Sequence, residues 1–358
     1  MEAFVAEGAS SSTWHYDDSF PVPYLGKLHE DFADLPTDAA EVLLEVLCSS
    51  VNPSDMYADK YLKPKPLGSD VVGRVAATNG SALFSVGDIV WGDIGANAAL
   101  DSDPSATTKE LGAYAQYAVA LDTQLSLAPL LNGDGGVGNT STLLAMCSLP
   151  KVALTSYKAL VWYAGAPWAD SLRPNVLVLG GSGGTGSAGI QLAKYFGAAT
   201  IAATASPDNF GYCASLGATA LIDYHSQNWM VAGEVFEAGF LDVIYDTVGE
   251  VGSAAAALAL LSKHGGRFVT IAGSLVPSFD VPPGTTQAQF INSDTNLESA
   301  RELQALKVAV EAQALAMPSV SVYTLDQVPE AFLTSAAGHV VGKLVISISN
   351  GTDAARNV

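Results

Sequence analysis

Three glycines carry the clearest chemistry in this chain. Gly181, Gly183 and Gly186 stand as G-x-G-x-x-G within Asn175-Val-Leu-Val-Leu-Gly-Gly-Ser-Gly-Gly-Thr-Gly-Ser-Ala-Gly-Ile-Gln-Leu-Ala-Lys194. That spacing suits a phosphate. The first glycine permits a tight turn, the second lets backbone N–H groups approach a pyrophosphate, and the third lets a helix pack closely on the preceding strand. The helix N-terminus then turns its partial positive charge toward the anion. A β-branched and leucine run precedes the turn and an amphipathic pattern follows it, as a dinucleotide site requires. Gly181, Ser182, Gly183, Gly184, Thr185 and Gly186 are therefore the expected cofactor-binding turn.

Gly180, Gly184 and Gly186 also satisfy the G-x-x-x-G-x-G spacing of short-chain dehydrogenases. That reading needs a Tyr-x-x-x-Lys on a downstream helix. The one match, Tyr61-Leu-Lys-Pro-Lys65, lies upstream and contains a helix-breaking proline. The short-chain reading fails.

The elements that must position the turn follow from periodicity. The first ~150 residues hold short strand-like runs between Pro, Gly and Asp turns, such as Val42–Leu47, Val71–Val75 and Asp88–Trp91. Leu130–Thr142, rich in Gly, Asn and Asp, reads as a surface loop. From Pro150 the texture changes. Ala153–Ala164 reads as a helix, and strands then alternate with helices in the manner of a parallel sheet. The expected strands are Val176–Leu179, Thr200–Ala203, Ala220–Ile222, Val243–Tyr245, Arg267–Ile271 and Lys343–Ile348. The expected helices are Ser187–Phe196, Asn209–Leu216, Ser253–Leu261 and Ala300–Ala316.

Composition narrows the function classes. The 358 residues suffice for two domains, and 49% are apolar. The formal charge of −20 repels nucleic acid and anionic membrane, so neither is an expected partner. No stretch reaches the ~20 apolar residues of a spanning helix. The start, Met1-Glu-Ala-Phe-Val-Ala-Glu, carries no basic leader pattern. Three scattered cysteines suit a reducing compartment. The expectation is a cytoplasmic protein, with a previously removed organelle leader left open.

Several ordered motifs extend the glycine turn. They are Val51-Asn-Pro-Ser-Asp55, Leu67-Gly-Ser-Asp-Val-Val-Gly73, Val86-Gly-Asp-Ile-Val90, Gly112-Ala-Tyr-Ala-Gln-Tyr117, Leu149-Pro-Lys-Val-Ala-Leu-Thr-Ser-Tyr157, Ser215-Leu-Gly-Ala218, Asp242-Val-Ile-Tyr-Asp-Thr-Val-Gly249, Gly265-Gly-Arg-Phe-Val269 and Gly342-Lys-Leu-Val345. With them the chain resembles the zinc-free medium-chain dehydrogenase/reductases: quinone oxidoreductases, enoyl reductases and fungal trans-acting enoyl reductases. The resemblance runs from Val42 to Ile348. It implies an α/β protein with a mainly β, GroES-like substrate domain (1–150), a Rossmann domain with a doubly wound parallel sheet (151–285), and a C-terminal segment (286–358) returning to the first. It also implies a homodimer joined through Rossmann sheet edges.

The zinc members of that superfamily carry Cys, His and Cys where this chain has Asn52, Ser69 and a residue near Lys151. Zn²⁺ takes thiolate, imidazole or carboxylate donors, so no zinc is expected here. Nor is a flavin. For the nicotinamide cofactor, the second Rossmann strand ends Ala203-Thr-Ala-Ser-Pro-Asp-Asn209. Thr204 and Ser206 are small hydroxyl donors that leave room for a 2′-phosphate, and the resemblance assigns Tyr224 to that phosphate and Thr155 to the nicotinamide. No Lys or Arg stands in this loop, so the reading favours NADPH over NADH without the usual charge partner.

Direct hydride transfer then suits a conjugated carbonyl, with hydride at the β-carbon and charge developing on the oxygen. Asn52, whose amide can donate, is the first candidate for the catalytic group, against a turn-capping role. The resemblance makes Tyr61 the second, as proton donor, with Tyr57 an alternative phenol. Cys48 reads as core, and Lys63 and Lys65 as an exposed loop. Asp246 and Thr247 close a strand at the adenosine side. The expected substrate is a small enone, quinone or enoyl thioester. The alternative is a non-catalytic NADPH-binding scaffold or subunit.

Overall fold

The computed structural model describes residues 1–7, 13–26, 28, 38–56, 65–95, 112–130, 140–290 and 299–348. The chain divides into two compact units. Unit 1 comprises Met1–Lys151, Ser293–Glu311 and Met317–Val358, and unit 2 comprises Val152–Asn292 and Ala312–Ala316.

Unit 1 is mainly β. Its strands are β1 (Ala3–Ala6), β2 (Trp14–Asp17), β3 (Glu41–Ser50), β4 (Lys65–Pro66), β5 (Asp70–Thr78), β6 (Ile89–Asp93), β7 (Tyr117–Leu121) and β8 (Leu125–Leu127), with α1 (Thr140–Cys147) after them. The chain then enters α2 (Pro150–Lys158), continued as a π-helical turn over Ala159–Tyr163.

Unit 2 alternates strand and helix: β9 (Asn175–Leu179), α3 (Gly184–Tyr195), β10 (Thr200–Ala205), α4 (Phe210–Leu216), β11 (Ala220–Asp223), β12 (Val243–Asp246), α5 (Ser253–Leu260), β13 (Gly266–Thr270) and β14 (Thr285–Gln289). These strands form one parallel sheet in the order β11-β10-β9-β12-β13-β14. The order reverses beside β9, which leaves a switch point at the carboxyl end of the strand that feeds the glycine turn. The interior strands are continuous apolar runs because helices cover both faces of such a sheet. Leu177, Leu179, Ala202, Ile244 and Phe268 are buried on one side with Trp229, Leu258 and Leu260.

The last elements, α6 (Ala300–Glu311), β15 (Val320–Thr324), α7 (Val328–Ala336) and β16 (Lys343–Ser347), belong to unit 1. There β16 pairs antiparallel with β3, bringing Val345 opposite Ser50. The resulting sheet runs β15-β16-β3-β5-β6-β8, with β7 also on β3, and β2-β1-β4 form a smaller sheet. Val42, Leu44, Val71, Val90, Tyr114, Phe332 and Ile346 share its core. The chain thus has the expected mainly β unit and the expected Rossmann unit.

Some boundaries differ from the sequence reading. The loop expected through Thr142 gives way to α1 at Thr140, and the helix expected to Ala316 ends at Glu311. Strands β14 and β15 and helix α7 were not expected. Lys65 is not on an exposed loop. It lies 3% exposed in β4, which pairs with β1 and sets Lys65 opposite Ala6. Lys63 lies outside the described residues. Cys48 is core, its thiol donating to the Leu143 carbonyl at 3.3 Å.

Candidate active site

In unit 2 the turn is built almost wholly from backbone. Gly180 takes φ +75°, the left-handed conformation that favours glycine. Its N–H donates to Thr204 Oγ1 at 2.9 Å, and the Gly181 N–H donates to the Thr204 carbonyl at 2.9 Å, so Thr204 anchors the turn to β10. A Cβ on Gly181 would stand 2.8 Å from the Ala203 Cβ, and one on Gly186 would strike the Gly180 carbonyl. A Cβ on Gly183 would meet nothing nearer than the Gly180 oxygen at 3.5 Å, so that face of the turn is open. The first N–H groups of α3, at Gly184, Thr185 and Gly186, have no acceptor inside the helix. The cradle fits a pyrophosphate. Its side chains are few: Ser182 Oγ lies 3.4 Å from Asn209 Nδ2, and the Thr185 carbonyl accepts from Ser156 Oγ at 2.8 Å.

The residues expected on the ribose side leave the carboxyl ends of the neighbouring strands, at the same end of the sheet as the turn. In the β10–β11 register Ala205 faces Asp223, so Ser206 and Tyr224 leave adjacent strands together. Ser206 Oγ accepts from Asn209 Nδ2 at 3.0 Å. Tyr224 is 46% exposed, its ring 4.2 Å from that of His225. From Tyr195 to Ser262 the chain has no Lys or Arg, and His225 is the one group there able to become cationic. A cavity of about 330 Å³ opens beside these rings, lined by Asn228, Trp229, Glu234 and Glu250 among others. Asp246 is fully buried and accepts from the N–H groups of Val248 and Gly249 at 2.9 Å, from Ser253 Oγ at 3.0 Å and from Thr270 Oγ1 at 3.2 Å. It shapes the loop after β12, while Thr247 Oγ1 donates to the Leu179 carbonyl at 2.7 Å. Thr155, on α2, is 6% exposed and its hydroxyl has no hydrogen-bond partner among the described residues.

Unit 1 carries the second site, a buried cluster of charge. Asn52 is 3% exposed. Its Oδ1 accepts from Lys343 Nζ at 2.7 Å, and its Nδ2 donates to Asp70 Oδ2 at 2.7 Å, with Ser69 Oγ at 3.3 Å. Lys343 Nζ also donates to the Val51 carbonyl at 2.8 Å and lies 3.5 Å from Asp70 Oδ2. Asp55 accepts from the Asn52 N–H at 2.9 Å, Ser69 Oγ at 2.9 Å and the Tyr114 hydroxyl at 3.1 Å. Asp70 accepts from Ser50 Oγ and from the backbone N–H of Lys151. Lys151 Nζ donates to Asp93 Oδ2 at 2.9 Å. Gly68, at φ +91°, lets Tyr114 lie against the chain just before Ser69, where a Cβ would overlap its ring.

Burial governs the proton affinities in this cluster. It pushes the Asp55 carboxyl up, partly offset by Lys151 and by the Asn52 and Ser69 hydrogen bonds. Burial also pulls the Lys343 ammonium below its ordinary value, against Asp70 and Asp55. The same cost acts on Lys151, but Asp93, Asp55 and Asp70 together outweigh it and hold that ammonium above the usual lysine value.

Asn52 and Ser69 therefore meet, but both ends of the Asn52 amide are committed within the protein. Tyr57 and Tyr61 lie outside the described residues. The residues at the superfamily's zinc positions present an amide, a hydroxyl and an ammonium, with a second ammonium hydrogen-bonded to the amide. This donor set does not fit a zinc ion. Among the described residues there is also no group of three or more His, Cys, Asp or Glu able to hold a metal.

The sequence matches the alcohol dehydrogenase GroES-like domain over residues 38–130 and the zinc-binding dehydrogenase model over residues 216–346. It is 30% identical to 2-methylene-furan-3-one reductase of Solanum lycopersicum, across 93% of this chain and 78% of that protein. The chain belongs to the medium-chain dehydrogenase/reductase family. Another relative is the chloroplastic NADPH-dependent alkenal/one oxidoreductase of Arabidopsis thaliana, 28% identical over 93% of this chain and 78% of that one. The fold of this medium-chain reductase matches the quinone oxidoreductase of Coxiella burnetii with a TM-score of 0.73 at 22% identity, covering 98% and 99% of the two chains. Family membership makes the chain an oxidoreductase.

The sequence reading of this medium-chain enzyme missed Asn209, which bridges Ser182 and Ser206, and most of the charge cluster. Asp70 and Lys343 lie within the ordered motifs with no role read for them, and Asp93 lies outside those motifs. The available signal was Lys343 itself, which opens the otherwise apolar strand Leu344-Val-Ile346 and is 5% exposed.

Proposed function

We propose that this enzyme is a zinc-independent, NADPH-dependent reductase of α,β-unsaturated carbonyls. The observation that carries the reading is the glycine cradle, open at Gly183 and lined by unspent N–H groups, in a chain of this family. The relatives named as 2-methylene-furan-3-one reductase and NADPH-dependent alkenal/one oxidoreductase support the substrate class and the cofactor.

Bound NADPH would supply a hydride from its dihydronicotinamide C4. Gly181 to Gly186 hold the pyrophosphate, with Ser182 and Thr185 at its edge. Ser206 and Tyr224 donate to the 2′-phosphate, Thr204 keeps the turn in place, and Thr155 offers its free hydroxyl to the nicotinamide amide. In unit 1 Asn52 positions the substrate side: its amide, fixed by Lys343 and Asp70, ties the Asn52–Asp55 turn to β5 and β16. Tyr61, with Tyr57 as the alternative phenol, is the proposed proton donor to the α-carbon. No flavin is required, because the electron pair moves directly to the substrate.

A homodimer would form through an edge of the unit 2 sheet, whose edge strands are β11 and β14, and light scattering of the purified chain tests the oligomeric state. The three cysteines are free and buried, in keeping with a cytoplasmic enzyme. Among the described residues no helix is long and apolar enough to cross a membrane. The decisive experiment mixes the protein with NADPH and methyl vinyl ketone, crotonyl-CoA or 1,4-benzoquinone and follows the nicotinamide absorbance. Turnover of the enone or enoyl thioester is expected. Turnover of the quinone alone would move the substrate class.

A further inference from the structure

Recognition of a 2′-phosphate calls for positive charge, and unit 2 keeps its permanent cations away from the place such a phosphate would take. In a dinucleotide fold the adenosine ribose lies at the carboxyl end of the second strand, next to the glycine turn. Here that strand is β10, which ends at Ala205 beside Asp223 of β11. Asn209 Nδ2 donates to Ser182 Oγ at 3.4 Å and to Ser206 Oγ at 3.0 Å, which ties this loop to the turn. Arg173 precedes β9, Lys194 closes α3, Lys263 precedes β13 and Arg267 enters it, so all four lie toward the amino ends of the strands. Lys158 is wholly buried on α2, over the Trp162 ring.

Negative charge gathers there instead. Asp208 follows β10, Asp223 ends β11, and Glu234 and Glu250 line the cavity beside Tyr224. The Ser226 hydroxyl and the His225 N–H hold the Asp223 carboxyl below its ordinary value, so it stays ionised at neutral pH. An arriving anion is repelled unless a cation answers it. His225 can answer it. It is exposed, it lines the same cavity, and its ring lies 4.2 Å from that of Tyr224 with the planes inclined at 42°. Among the described residues neither its ring nitrogens nor the Tyr224 hydroxyl has a hydrogen-bond partner. Histidine changes charge between about pH 5 and 8.

We propose that His225 is the specificity-determining cation of this site: as an imidazolium it donates a hydrogen bond to the 2′-phosphate that Ser206 and Tyr224 also meet, so the preference for NADPH over NADH strengthens as pH falls. The role rests on the NADPH-dependent reading above. Its sign follows from charge. A bound phosphate dianion favours the protonated ring, so NADPH takes up a proton on binding and lower pH tightens it. NADH carries a 2′-hydroxyl and feels no such pull. Above the histidine range the ring is neutral, and Asp208, Asp223, Glu234 and Glu250 are left to oppose the phosphate.

Fluorescence titration of the purified protein with NADPH and with NADH, at pH 6.5 and at pH 8.5, tests the role without turnover. Both values lie above the second ionisation of a phosphate monoester, at about pH 6, and carboxylates titrate below both. The ratio of NADPH to NADH affinity in the parent is expected to rise about tenfold from pH 8.5 to 6.5, the scale of a hydrogen bond to a charged group, while NADH affinity stays within about twofold. In H225Q, which keeps a polar side chain at this exposed position, the ratio is expected to change by less than about twofold. H225K, with its charge fixed, is expected to hold a high ratio at both values. A parental ratio that ignores pH, an H225Q that keeps the parental change, or an H225K no better than H225Q at pH 8.5 overturns the role. If the parent binds neither nucleotide, the reductase reading fails and this role falls with it. Tight NADPH binding that ignores both pH and H225Q sinks His225 alone.

Discussion

The glycine turn of unit 2 and the charge cluster of unit 1 solve opposite problems. The turn presents its polar groups from backbone N–H, and its side chains are mostly absent, so a single added Cβ is its hazard. The cluster presents polar groups from side chains gathered from Ser50, Asn52, Asp55, Ser69, Asp70, Asp93, Tyr114, Lys151 and Lys343. Its hazard is an unpaired charge, since a buried ion without its partner bears the whole desolvation cost. A backbone-built site tolerates polar substitution nearby and fails on shape. A side-chain site keeps its shape and fails on charge.

The sharpest way to break this contrast is a pair of alanine substitutions in the turn. Gly186→Ala drives a Cβ into the Gly180 carbonyl, so NADPH affinity by titration is expected to fall more than about a hundredfold, or ~2.7 kcal/mol. Gly183→Ala meets open space, so stability in urea is expected to stay within about 0.5 kcal/mol while NADPH affinity alone declines. Equal losses of stability in both would deny that Gly183 faces the cofactor.

The largest effect on stability belongs to Lys343→Met. It strips Asp70 and the Asn52 oxygen of a buried cation, at a cost of about 3–5 kcal/mol in urea unfolding. Adding Asp70→Asn is expected to recover part of that loss, and a parental midpoint in the single variant would show the cluster to be idle.

The pH dependence follows from the sign of the Lys151 shift. Its folded value lies above the ordinary lysine value, so its contribution to stability is full below the unfolded value and is lost as pH rises through the folded one. Stability in urea is therefore expected to lose nothing from this group below about pH 10. The smallest effect belongs to Tyr224→Phe, which removes one exposed donor. It should narrow the NADPH-over-NADH preference by less than tenfold, near the ~1 kcal/mol of a single hydrogen bond.

The same contrast explains what was legible in the sequence. The turn is local: strand, glycines and helix lie within Asn175–Tyr195, so spacing alone reveals them. The interior strands β9, β10, β12 and β13 announce themselves as apolar runs. Strand β14, Thr285-Thr-Gln-Ala-Gln289, has one neighbour and a polar face, so no apolar pattern marks it. The cluster was hidden for a different reason. Lys343 meets Asn52 across 291 residues of chain through the β16–β3 pairing, and no periodicity records such a meeting. The resemblance drew attention to Asn52, Ser69 and Lys151 as replaced zinc positions, but not to the two lysines as the cations among three aspartates.

The central claim is that the chain reduces a conjugated carbonyl at the expense of NADPH. The most direct measurement titrates the purified protein with NADPH and NADH by fluorescence and then follows oxidation of the bound nucleotide on adding methyl vinyl ketone. Tighter binding of NADPH and its oxidation by the enone are expected. Tight binding with no oxidation by any enone, enoyl thioester or quinone would contradict the account.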